Sequence, residues 1–317
     1  MGNALVDVLA LIDDDKLLEQ LDLPKGSMQL IDEDRKNALS KVIESKNPYI
    51  ASGGSASNTI VGLSKLGIET GFIGRVGDDT YGDYYKKDLE KSGVHSHLIV
   101  NSGEASGVAT AFISKDGQRT FGTFLGAASK LSVDNLREED FIGYDYFYIE
   151  GYLVQNLDLI RGAIAMAKKH GLKVMLDMAS YNVVEDSLDF LLEIIPMYVD
   201  IVFANEEEAK SLLNLEPEQA LDKLAEQVEI AIVKVGADGS WVQRGNDKQF
   251  IPAMKVNCVD TTGAGDLYAS GFIYGLIKNL SLRDAGKIGT LLAGNVIQAM
   301  GPKMDDTKWN ELRNIIN

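Results

Sequence analysis

A chain of 317 residues, 45% hydrophobic and 25% charged, can bury one large α/β core or two ordinary ones, and it is too apolar to be disordered. Its formal net charge of −16 argues against binding nucleic acid or an anionic membrane through a charged face. An anionic substrate would have to be held by backbone dipoles, a metal ion and a few chosen cations. One cysteine, Cys258, excludes an internal disulfide and fits a reducing compartment. No basic n-region with an apolar h-region opens the chain and no run of 18 apolar residues occurs, so a cytoplasmic protein is expected.

The chain begins Gly2-Asn3-Ala4-Leu5-Val6-Asp7-Val8, a strand-like run whose polar members Asn3 and Asp7 face solvent or converge on a ligand. Residues 12–39 turn charged and read as a peripheral excursion, Asp13-Asp14-Asp15 being a solvated face or a helix start. Ala51-Ser52-Gly53-Gly54-Ser55-Ala56-Ser57-Asn58 reads as a small-residue turn running into a helix that stops at Gly67. A strand and turn over 70–79 precede a helix over 81–91, closed by Ser92-Gly93. Across 107–124 the pattern predicts a β-hairpin around Asp116-Gly117, which with 12–40 would build a small β lid.

Beyond Lys130 the predicted strands 144–150, 172–177, 201–204 and 230–235 alternate with helices 156–170, 188–195, 206–213 and 218–227. That alternation predicts βαβ units and a parallel sheet. Two helices, 267–278 and 285–300, close the chain, the second stopped by Gly301-Pro302. No repeat or linker divides the sequence. It reads as one domain over 1–317, with a lid from about 11–40 and 95–125.

In parallel sheets ligands gather beyond the C-terminal strand ends. Three such ends carry candidate chemistry: Asn205-Glu206-Glu207-Glu208, Gly236-Ala237-Asp238-Gly239 with Lys234 just inside, and Gly263-Ala264-Gly265-Asp266. The last follows Val256-Asn257-Cys258-Val259, read as the end of a buried strand in which Cys258 is a packed small hydrophobe. At this corner free amides and the positive end of a helix dipole suit a transferred phosphoryl group. Asp266 in the first turn is either an ordinary helix-start residue or a base taking a hydroxyl proton. P-loop, dinucleotide and Gly-x-Ser-x-Gly patterns are lacking, and His95, His97 and His170 have no metal-site spacing and read as surface residues.

The string Asp260-Thr261-Thr262-Gly263-Ala264-Gly265-Asp266 resembles the signature of the PfkB (ribokinase-like) family of small-molecule kinases. Gly53-Gly54-Ser55-Ala56-Ser57-Asn58, Gly74-Arg75-Val76-Gly77-Asp78-Asp79 and Asn205-Glu206-Glu207-Glu208 match other family motifs in order. The resemblance implies a three-layer α/β/α body with a mainly parallel central sheet and a small β lid. It implies Asp266 as catalytic base, an anion hole of Gly263, Ala264 and Gly265 amides, and Asp7, Gly54 and Asn58 holding substrate hydroxyls beside Gly53 and Ser55. ATP would lie by Lys234, Gly236, Gly239, Thr262 and Asn295; Asn205 and Glu208 would hold Mg²⁺ through water; Asp260 and Thr262 bind a monovalent cation, K⁺, in some members.

The opening Gly-Asn-Ala-Leu-Val-Asp, Pro24-Lys25-Gly26-Ser27-Met28 and Asp116-Gly117-Gln118-Arg119-Thr120 look most like adenosine kinases and their bacterial relatives. By that likeness Arg119 reaches toward the transferred phosphate, and Asn3 and Leu5 touch ribose and base. The implied reaction is ATP-dependent phosphorylation of a primary hydroxyl of a nucleoside or sugar, adenosine first. A ribokinase, fructokinase or sugar-acid kinase is the alternative, and a non-catalytic relative the outlying one. Monomer and homodimer both fit. Family members carry several strand residues before the Gly-Asn, whereas this chain begins Met1-Gly2, so its first strand is short or its start trimmed.

Overall fold

The computed structural model describes residues 1–115 and 118–316. Its strands are β1 Leu5–Leu11, β2 Met28–Leu30, β3 Tyr49–Gly53, β4 Gly71–Gly77, β5 His95–Asn101, β6 Gly107–Ile113 and β7 Arg119–Phe124. They continue as β8 Tyr146–Glu150, β9 Lys173–Asp177, β10 Ile201–Asn205, β11 Ile230–Lys234, β12 Gly239–Arg244 and β13 Asp247–Pro252.

The main sheet runs β13-β12-β11-β10-β9-β8. Strands β8 to β11 are parallel, and β12 and β13 complete the sheet antiparallel. In β9 to β11 nearly every residue is buried, as a strand covered on both faces by crossover helices requires. Helices Leu157–Lys169, Leu188–Tyr198, Glu206–Leu213 and Pro217–Ala225 supply those crossovers, close to the predicted ranges. Parallel β4 and β5 form a separate pair. Met1 and Gly2 lie between this pair and the main sheet: Gly2 N donates to Ile73 O at 3.1 Å, and Met1 exchanges hydrogen bonds with Tyr148 O and Glu150 N.

A second sheet, β2-β7-β6-β1-β3, holds the β6–β7 hairpin and β2. The hairpin arms pair as expected, Ile113 opposite Arg119, while its Asp116-Gly117 turn lies outside the described residues. The opening strand β1 also belongs to this sheet, parallel to β6 and antiparallel to β3. The peripheral excursion contains a helix, Glu33–Glu44, capped by Asp32 and packed on β6 and β7 through buried Leu39 and Ile43. Burial of each such side chain is worth roughly 1.5–3 kcal/mol.

Two expectations fail. Residues 253–259 form no strand, and Cys258 is exposed, not packed. The amides of Val259 and Asp260 bond Ile297 O at a helix end, so this stretch crosses the molecule without a ladder partner. Second, a third helix, Asp306–Ile316, closes the chain after Leu282–Val296, burying Trp309 and Leu312. The pattern beyond Gly301-Pro302 is too short and polar to announce it. No helix among the described residues is long and apolar enough to cross a membrane.

Candidate active site

Gly263 caps helix Ala264–Ile277 in the left-handed region, φ 75°, and a Cβ there would stand 2.9 Å from Pro302 Cβ. Only glycine satisfies both conditions. Asp266 follows in the first turn. Its Oδ1 accepts from Ser55 Oγ at 2.7 Å and its Oδ2 from Asn58 Nδ2 at 2.9 Å, both on helix Ser55–Lys65. The two helices approach closely because Gly62 faces Ser270: a Cβ at Gly62 would lie 2.4 Å from Ser270 Oγ. Thr59 and Ser270 hydroxyls both bond Asp266 O, fixing the turn from the side. Burial pushes the Asp266 carboxyl up to about 6, against the Asn58 and Ser55 hydrogen bonds that favour its charged form.

Lys234, the last residue of β11, comes to this corner. A Cβ at Gly265 would be 3.2 Å from its Nζ, which also lies 3.3 Å from Asp177 Oδ2. Burial pulls the ammonium down, but Asp177, Glu208 and Asp266 outweigh it and the net direction is up. The structure thus joins one cation, three carboxylates and the Gly263–Gly265 backbone. Gly236 and Gly239 form the turn beyond β11, where Gly239, at φ 136°, abuts Ile251 O and Gly236 meets open space.

Asn205 and Glu208 form the capping box of helix Glu206–Leu213. Glu208 N donates to Asn205 Oδ1, and Asn205 N and Nδ2 donate to Glu208, each at 2.7–2.8 Å. Desolvation raises the Glu208 carboxyl, with Lys234 opposing. Asp260 organises the other side of the loop: Thr262 N and Oγ1, Arg119 Nε and Gly301 N all donate to it within 2.9 Å. Arg119, from β7, also donates to Thr261 Oγ1 at 3.2 Å. Asn295 lines a cleft of about 660 Å³ that Asn58, Leu267 and Pro302 also line, and its amide donates to Leu291 O.

On the opposite side, Asn3 is 6% exposed and donates its Nδ2 to Glu150 Oε1 at 2.9 Å. Gly54, at φ 93°, lies against Asn3 O. Gly53 has no room for a side chain because the Asp7 carboxylate occupies that space, 2.3–2.4 Å from the would-be Cβ. Asp7 is pushed up to about 7, chiefly by burial. Leu5 pairs with Gly53 across β1 and β3.

Sequence reading missed Glu150 and Asp177. Glu150 is 1% exposed and binds Asn3 N and Nδ2 and Ala56 N, tying the chain start to the helix that presents Ser55 and Asn58. Both residues end strands, β8 and β9, so the rule that singled out 205, 234 and 266 points to them too. His97 is also less peripheral than expected: it bridges Asp140 at 2.8 Å and Tyr144 OH at 3.2 Å.

The pfkB family carbohydrate kinase model matches residues 26–308. The chain belongs to this family and is a phosphotransferase with a ribokinase-like α/β fold. It is 35% identical to the adenosine kinase structure from Sinorhizobium meliloti, TM-score 0.91, over 99% of this chain and 97% of that one. A probable sugar kinase from Rhizobium etli gives 32% identity and TM-score 0.91 over 99% and 96%. The nucleoside kinase of Methanocaldococcus jannaschii is 30% identical over 82% of this chain and 83% of its own. The chain is a sugar or nucleoside kinase.

Proposed function

We propose that the protein transfers the terminal phosphoryl group of ATP to a primary hydroxyl of a nucleoside, with adenosine the first candidate. The observation that carries this reading is the Asp266 carboxylate, held by Ser55 and Asn58 in the first turn behind Gly263-Ala264-Gly265. Those two donors aim one oxygen pair at an incoming hydroxyl, and Asp266 takes its proton as the oxygen attacks phosphorus. The Gly263–Gly265 amides, the helix dipole and Lys234 hold the charge on the transferred oxygens. Asp7, Gly54 and Asn58, flanked by Gly53 and Ser55, take the remaining hydroxyls, with Asn3 and Leu5 bordering ribose and base. Gly236, Gly239 and Thr262 border the nucleotide. Arg119 reaches the transferred phosphate from the second sheet, whose strands β2, β6 and β7 fall within the proposed lid of 11–40 and 95–125 and would exclude water, while β5 pairs with β4 outside it.

No cluster of three or more His, Cys, Asp or Glu side chains able to hold a metal occurs among the described residues. An amide and a carboxylate at the end of β10, Asn205 and Glu208, the latter beside Lys234, fit a Mg²⁺ that arrives with the nucleotide and keeps part of its water shell, which they would hold through water. When bound, it neutralises phosphate charge. Asp260 already takes four donors, so its carboxylate fits an anchor of the loop better than a ligand of K⁺, and no step is assigned to that ion. Similarity to the Sinorhizobium meliloti adenosine kinase supports the nucleoside, and the Rhizobium etli probable sugar kinase, with the same TM-score of 0.91, keeps a free sugar as the second reading. The enzyme is taken to work in the cytoplasm, as a monomer or homodimer.

The test is ADP release with Mg·ATP across adenosine, inosine, guanosine, ribose, fructose and 2-keto-3-deoxygluconate. Turnover on a nucleoside alone is expected. Turnover confined to a free sugar would replace the substrate and keep the mechanism.

A further inference from the structure

Glu150 ends β8 and lies outside every motif that carries the family likeness. It is 1% exposed, and its carboxylate serves two segments far apart in the chain. Oε2 accepts from Ala56 N at 3.0 Å, in the first turn of helix Ser55–Lys65. That helix has no side-chain cap of its own: its N-cap is Gly54, where a Cβ would stand 2.2 Å from Asn3 O. Glu150 therefore supplies from another strand the acceptor that a cap residue ordinarily gives to a free amide, and it sets negative charge at the positive end of the helix. Oε1 accepts from Asn3 N at 3.2 Å and from Asn3 Nδ2 at 2.9 Å. Gly2 packs against the same group, since a Cβ there would stand 2.5 Å from Oε2. An ionised carboxylate only accepts, so the Asn3 amide must turn its NH2 toward Glu150 and its Oδ1 away. Among the described residues nothing donates to that Oδ1, and it is not one of the unpartnered side-chain atoms sealed from solvent.

We propose that Glu150 is a positioning residue of the acceptor site: by holding both nitrogens of Asn3 and the head of helix Ser55–Lys65, it fixes Asn3 Oδ1 as the atom that accepts a hydrogen bond from a hydroxyl or amine of the substrate. This rests on the place given to Asn3 beside ribose and base above. The helix it caps carries Ser55 and Asn58, which hold Asp266. One carboxylate thus keeps the oxygen that reads the substrate in register with the group that takes its proton. Glu150 itself touches no reacting atom in this scheme.

The experiment measures kcat/KM above the value of about 7 to which burial raises the Glu150 carboxyl, for the acceptor found in the panel and for analogues lacking one donor each. For adenosine these are 2′-deoxyadenosine, 3′-deoxyadenosine and purine riboside. Wild type is expected to favour the intact acceptor over one of them by roughly tenfold, and Asn3→Ala to lose that preference. Asn3→Asp sets two carboxylates against each other and is expected to lose roughly tenfold to a hundredfold. The double variant, Asn3→Asp with Glu150→Gln, again faces a donor to an acceptor: the Gln oxygen takes Ala56 N and its NH2 meets the new carboxylate. It is expected to regain activity and the preference together, which a merely structural bridge would not produce. A double variant no better than Asn3→Asp, Asn3→Asp at wild-type activity, or Asn3→Ala with its preference intact would each overturn the proposal. Absence of turnover on every panel acceptor would overturn the functional reading beneath it, a failure distinct from an unmoved preference.

Discussion

At the scale of single residues, Asp266 answers two opposed demands. Burial raises its pKa to about 6, which suits the base proposed for it near neutrality, yet Ser55 and Asn58 still favour the charged form that the proposed role requires. Asp266→Asn is expected to lower kcat by roughly 10²–10⁴-fold with an unchanged circular dichroism spectrum. Turnover near wild type would remove Asp266 from the mechanism. The same shift fixes a stability profile. A carboxyl whose folded pKa lies above its unfolded value of about 3.9 binds more protons in the fold, so the wild type gains stability as pH falls from about 6 toward 4. The Asn variant has no such gain. Its melting temperature relative to wild type is therefore highest above pH 6 and declines toward pH 4, and a difference independent of pH would show that burial is not what shifts Asp266.

Among the elements, the contact of helix Ser55–Lys65 with helix Ala264–Ile277 decides whether the acid and its donors meet. Ten consecutive residues of the second helix are buried, which is why its sequence has no polar face. It reaches its neighbours through small residues: Gly62 against Ser270 on one side, Gly271 and Gly275 against Gly289 and Ala285 on the other. Gly62→Val places carbon where Ser270 Oγ and Cβ now stand, 2.4 and 2.9 Å from the new Cβ. Overpacking of this kind costs about 1–3 kcal/mol. A lower denaturation midpoint is expected, together with a fall in kcat larger than the loss of folded protein explains, because the Ser55 and Asn58 bonds lengthen. Activity that simply tracks the folded fraction would show that the helix spacing does not set the site.

For the whole molecule, the question is how the second sheet is coupled to the main body. Arg119 is one tie: it leaves β7 and ends on Asp260 and Thr261, within the loop that opens the anion corner. Arg119→Gln removes a charged hydrogen bond of about 1.5–3 kcal/mol, so kcat/KM is expected to fall roughly tenfold to a hundredfold, with more ATP hydrolysed in the absence of acceptor. Unchanged kinetics on both counts would mean that the sheet closes without this residue. The sequence by itself determined the alternating strands and helices from β8 to β11 and the paired arms of the β6–β7 hairpin, and it offered Asp266, Lys234, Asn205 and Glu208 as candidates, because period, capping and glycine placement are local signals. Only the tertiary structure decided that β1 joins the second sheet, that Val259 and Asp260 bond a helix end, that Glu150 ties the chain start to helix Ser55–Lys65, and that Asp177 meets Lys234. Those facts depend on which distant segments meet. A carboxylate at residue 150 looks the same in sequence whether it faces water or buries its oxygens against Asn3, and long-range packing makes that choice.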